Sequence, residues 1–134
     1  MHPDLEKLIS EKQSFMQQAL TKDGKFYPFG CEMTIEGEVV NHHAFTLDDH
    51  PVDKNIDTLT RAFRQKAAAG QLRGACIYWL VHLTSPEETD AIRMGLEHQN
   101  GEAVDFYVPY KKGLFGKITY GEPFWVTRKR EFFV

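Results

Sequence analysis

Two spacings of apolar residues alternate along the chain and divide it into helices and strands. Residues 4–20 carry Leu5, Leu8, Ile9, Phe15, Met16 and Ala19 at helical spacing, which predicts one amphipathic helix with Asp4 as N-cap after Pro3. The period then changes. Cys31, Met33 and Ile35 alternate with Glu32 and Thr34, which predicts a strand over 31–35. The acidic glycine turn Glu36-Gly37-Glu38 leads into a second strand over 39–45. The register of this first hairpin stays open on pattern alone. Ile56, Leu59, Phe63 and Ala67 restore helical spacing, with Asp53 or Asn55 as the cap and Gly70 as the terminator. Residues 72–83 follow with the nearly unbroken apolar run Ala75-Cys76-Ile77-Tyr78-Trp79-Leu80-Val81, the mark of a central strand covered on both faces or buried in a dimer.

The most informative stretch is 91–110. A two-residue turn at Asn100-Gly101 would set Leu96 opposite Asp105 and Glu97 opposite Val104, mixing apolar and charged side chains on one face. A three-residue loop, Gln99-Asn100-Gly101 with Gly101 at positive φ, instead pairs Leu96 with Val104, Met94 with Phe106 and Ile92 with Val108. One face is then wholly apolar. The other carries Arg93 opposite Tyr107, Gly95 opposite Asp105 and Glu97 opposite Ala103, and reads as a wet or partner-facing surface. Further strands are expected at 118–120 and 124–126.

The order helix, strand, strand, helix, then three or four strands predicts an α+β fold. It comprises a mainly antiparallel sheet of five to six strands with two helices, both on one face. The 134 residues suit a single domain over 1–134. The order is similar to that of profilin-like and roadblock-like domains, without their final helix. Phe26-Tyr27-Pro28-Phe29-Gly30, Thr89-Asp90-Ala91-Ile92, Leu96-Glu97-His98, Gly101 and Pro109-Tyr110 together resemble a group of short bacterial single-domain proteins that carry no assigned activity. The resemblance implies a self-standing domain and brings no catalytic residues with it.

Charge adds an asymmetry. Residues 111–134 hold six Lys and Arg against two Glu, whereas residues 1–110 hold ten against seventeen acidic groups. Six interrupted cations are too few to argue for nucleic acid. No apolar run is long enough to span a bilayer, and the first residues lack the features of a secretory signal, so a cytoplasmic protein is expected. Cys31 and Cys76 have neither CxxC spacing nor a third partner, and are expected to be buried thiols.

Candidate chemistry is sparse. His42, His43, Asp48, Asp49 and His50 form the densest reactive cluster, but adjacent strand histidines point to opposite faces, so no metal or other cofactor is expected there. Cys31 is a nucleophile only if its thiol is partly exposed beside one of those histidines. Glu97 and His98 fall on opposite strand faces, which favours structural pairing of Arg93 with Tyr107 or Asp105 over acid and base catalysis. Phosphate loops, dinucleotide fingerprints and nucleophile elbows are missing.

Leu114 and Phe115, between glycines and lysines, are a candidate docking tip for a partner or an anionic surface, or else fold back on the core. Phe124, Trp125, Phe132 and Phe133 extend the candidate interaction surface. The C-terminal segment either completes the monomer's own core or pairs across a homodimer. Two readings follow: a noncatalytic interaction domain that self-associates, with room for an unidentified protein partner, and a small enzyme or metal-dependent protein built on the His and Asp cluster.

Overall fold

The structure is a computed structural model that describes residues 1–42 and 52–134, His42 by its backbone alone. Its elements are α1 (Pro3–Glu11), α2 (Gln13–Asp23), β1 (Phe29–Thr34), β2 (Val39–His42), α3 (Val52–Ala68), β3 (Leu72–Leu83), β4 (Thr89–His98), β5 (Ala103–Lys112), a short 3-10 turn (Leu114–Gly116), β6 (Ile118–Tyr120) and β7 (Phe124–Thr127). Every strand pairing is antiparallel, in the order β2-β1-β3-β4-β5-β6, with β7 also on β5. The α+β class and the antiparallel sheet stand as expected.

β6 and β7 are two halves of one edge strand. Tyr110 pairs with Tyr120 in the first half and Tyr107 with Phe124 in the second, so the edge gains one residue across Gly121-Glu122-Pro123. This is a bulge at an edge, where a proline is tolerated because no ladder bond needs its missing N–H.

The long hairpin adopts the expected register, with Leu96 opposite Val104, Met94 opposite Phe106 and Ile92 opposite Val108, and Gly101 at φ 100°. The first hairpin, open on pattern, pairs Met33 with Val39 and Gly30 with His42. The expected single helix over 4–20 is broken at Lys12 (φ −108°, ψ 6°), where neither Pro nor Gly marks the break. His2 rather than Asp4 is the N-cap: its ring accepts the Asp4 N–H. The third helix begins at Val52, which places Asp53 and Asn55 inside its first turn instead of at the cap.

The helices do not share a face, contrary to expectation. Leu5, Leu8, Met16 and Leu20 of α1 and α2 cover Cys31, Met33, Cys76, Tyr78, Met94 and Leu96. Leu59 and Phe63 of α3 cover Leu72, Ala75 and Ile77 on the opposite face, with Phe132. Gly30 makes this second layer possible: a Cβ there would lie 2.7 Å from the Phe63 ring, so the ring packs directly on the strand backbone. The three-layer arrangement explains the unalternating apolar run of β3, which is covered twice.

Candidate functional site

The His and Asp cluster falls almost wholly outside the described residues. His42 ends β2 opposite Gly30, while His43, Asp48, Asp49 and His50 lie outside the described residues. Cys31 is fully buried, and burial pushes its thiol pKa up; it lies 3.5 Å from Asn41 Oδ1. Cys76 is likewise buried and raised well above the ordinary value by burial. Neither thiol is an accessible nucleophile.

The polar face of the long hairpin is not wet. Glu97 is 0% exposed and accepts four hydrogen bonds: from Arg128 Nη2 at 2.6 Å and from the backbone N–H groups of Glu131, Phe132 and Phe133 at 2.8, 2.9 and 3.2 Å. Asp105 takes Arg93 Nη2 at 2.8 Å and lies 3.8 Å from Arg128 Nε. The Arg93 guanidinium also lies over the Tyr107 and Trp79 rings, so the residue makes both expected contacts, with Tyr107 and Asp105, and an unforeseen one with Trp79.

Gly95 leaves room for the Arg128 guanidinium, 3.3 Å from where a Cβ would stand. This carboxylate anchor draws the C-terminal segment over the face that the polar pattern marked as open. Phe132 is therefore buried edge-on to Phe63 and does not serve the interaction surface assigned to it, while Phe133 is half-buried beside it. The C-terminal segment completes the monomer's own core.

A second polar centre joins the start of α1 to the end of β4. Arg73 grips both oxygens of Asp4, at 3.1 and 2.7 Å, and His98 Nε2–H donates to Asp4 Oδ2 at 2.8 Å. His98 Nδ1 accepts the Asn100 N–H, which places the ring proton on Nε2. The rings of His2 and His98 stack at 4.0 Å. His2, Asp4 and His98 bring one ligand-type atom each within 4.8 Å of one another, a spacing that would suit a metal ion. Each of those atoms already serves a hydrogen bond, and a guanidinium sits on the carboxylate, so the arrangement is a clasp. Sequence reasoning missed it because its partners are separated by 69 and 94 positions.

The clasp should be visible in acid. Asp4, held first by the Arg73 hydrogen bond and further by His98 and the Arg73 charge against an opposing effect of burial, has its pKa lowered from 3.8 to about 2. A carboxylate with a depressed folded-state pKa stabilises the fold above its unfolded value and loses that contribution as pH falls through the folded one. Between pH 3.8 and about 2 the chain should lose on the order of 1 kcal/mol from this group, after allowance for solvent screening. Urea midpoints of the parent and Asp4→Asn should converge through that window; curves that stay parallel would remove the clasp from the stability of the fold.

Two neighbouring pairs stand out among the exposed apolar groups. Leu114 is 84% exposed and Phe115 fully so, at the tip of the β5–β6 connection. On β7, Trp125 is 53% and Val126 49% exposed, while Phe124 stacks on Tyr107 with centroids 5.0 Å apart. A cavity of about 500 Å³ opens beside this edge, lined by Leu83, Pro86, Tyr110, Tyr120, Pro123 and Phe124. The Tyr120 hydroxyl is buried without a hydrogen-bond partner among the described residues.

Fold and surface together define a three-layer α+β domain with one bulged, apolar edge strand and one protruding apolar tip. No family model matches the chain, nor does any curated protein or solved structure. No helix among the described residues is long and apolar enough to cross a membrane.

Proposed function

We propose that the chain is a noncatalytic interaction domain that associates with a second copy of itself through strand β7. The observation that carries the reading is the character of this edge. Among the described residues β7 pairs only with β5, so its outer side offers unpaired backbone groups, and Phe124-Trp125-Val126-Thr127 contains no charge. Edges of monomeric sheets are ordinarily blunted by lysine, proline or an inward charge. Here the proline stands just before the strand, at Pro123, and the charges lie beyond its ends.

Those flanks favour self-pairing. An antiparallel contact with its two-fold axis between Trp125 and Val126 sets Phe124 opposite Thr127 and Glu122 opposite Lys129, so opposite charges meet at both ends. Glu122 and Lys129 are both exposed and available for this. The buried thiols, and carboxylates and imidazoles that serve as clasps, support a reading without catalysis.

Light scattering over a range of micromolar concentrations tests the proposal. A mass of twice the 15.5 kDa chain is expected. Val126→Lys should return the single-chain mass with an unchanged thermal midpoint, since the side chain is half-exposed and its loss removes no core packing. A concentration-independent single-chain mass in the parent, or a dimer indifferent to Val126→Lys, overturns it.

A further inference from the structure

We propose that the tip formed by Leu114 and Phe115 is a docking site for an anionic lipid surface. The inference stands apart from the β7 contact, because it uses a different part of the molecule. Its first support is exposure: no neighbour covers the Phe115 ring, and Leu114 beside it is nearly as open. A fully exposed Phe beside an exposed Leu is a costly arrangement in water, and burial of either side chain is favourable.

The backbone holds the pair in that position. Phe115 has φ 60° and ψ 27°, the one non-glycine residue among those described with positive φ. Left-handed backbone is strained for a residue with a β-carbon, which crowds the following carbonyl. The turn is closed by hydrogen bonds from the Gly113 N–H to the Lys117 carbonyl at 2.7 Å and from the Lys117 N–H to the Leu114 carbonyl at 3.3 Å. A strained conformation that pushes an aromatic ring outwards is unexplained by the packing of the domain, since the ring packs on nothing.

Charge chooses the partner. Lys111, Lys112 and Lys117 frame the tip on both sides. The end of α2 adds to them, because a Cβ on Gly24 would lie 3.3 Å from Lys112 Nζ, which places Lys22 and Lys25 in the bordering segment. The segments 22–25 and 111–117 together carry five lysines against Asp23. The chain as a whole has a net charge of −3, so this collection is a local reversal of sign. Clustered lysines are each attracted to an anionic bilayer surface, and apolar side chains entering the acyl boundary supply the remainder of the affinity. A groove for a protein partner would need a concave or flat apolar area, whereas two side chains projecting from a turn fit a surface that they can penetrate.

The test is co-sedimentation of the full chain with vesicles of phosphatidylcholine alone and of an equal mixture with phosphatidylserine, at low and at high salt. Binding to the mixed vesicles, absent on phosphatidylcholine and weakened by salt, is the expected result. Phe115→Ser should lower that binding about tenfold, and Lys112→Glu should lower it as well, both with unchanged thermal midpoints because the two side chains are exposed. The proposal is overturned by no sedimentation, by equal binding to both vesicle types, or by Phe115→Ser binding as the parent does. A loss of the dimeric mass on Phe115→Ser with unaltered vesicle binding would likewise overturn it, and would reassign the tip to a protein contact.

Discussion

Glu97→Ala should lower the stability of the fold by about 3–5 kcal/mol, the largest loss expected from any single polar substitution here. The carboxylate is completely buried and gathers four donors, three of them backbone N–H groups of the C-terminal segment. Its removal leaves the largely buried Arg128 without its 2.6 Å partner, holding the longer contacts to Asp105 at 3.8 Å and Glu131 at 3.6 Å and its place over the Phe132 ring. The Phe132 N–H is stranded in the interior, where an unmet buried donor costs about 1–3 kcal/mol, and the part-buried N–H groups of Glu131 and Phe133 lose their partner too.

Relief comes only by releasing residues 128–134, which uncovers Phe63 and gives up the Phe132 contact. Urea melts measure the loss. Glu97→Ala combined with deletion of 128–134 should be no less stable than the deletion alone, because the residue acts through that segment. An undisturbed midpoint in Glu97→Ala, or full additivity of the two changes, would show that the segment is held by its apolar contacts alone.

Local architecture was legible where side chains report on their own strand. In the long hairpin, three cross-strand apolar pairs and one glycine select a single register, and the structure has it. Helical spacing in 52–68 identified Leu59 and Phe63 as the buried stripe. What covers each face was not legible. Arg93, Glu97 and Asp105 have the polarity of a solvated surface, but a carboxylate with four donors can be as buried as a leucine, and its partners lie 31 to 36 positions away.

The side chosen by α3 was hidden for a related reason. Its landing place is made partly by the absence of side chains at Gly30, which a hydrophobicity pattern registers as a gap. The two polar clasps escaped notice because each pairs residues distant in sequence, with no motif to link them. The candidate surface was half legible: Leu114, Phe115 and Trp125 are exposed as an interaction surface requires, whereas Phe132 is not.

Ile77→Ala is the second large loss expected, about 2–5 kcal/mol and in the upper part of that range. Ile77 is 2% exposed and packs in the α3-side core with Leu59, Phe63 and Phe132. Its cross-strand neighbours are Gly30 on β1 and Gly95 on β4. Neither has a side chain that could lean into the vacated space. The room above them is already taken, over Gly30 by the Phe63 ring and over Gly95 by the Arg128 guanidinium, which is held in turn by Glu97.

A cavity that its surroundings cannot fill keeps its full cost. Ile77→Val, which removes one methyl group, should cost only about 0.5–1.5 kcal/mol. Urea midpoints of the two variants measure the contrast. A loss below about 1 kcal/mol in Ile77→Ala would mean that α3 can settle onto the sheet, and that the glycines on either side of Ile77 do not keep this layer rigid.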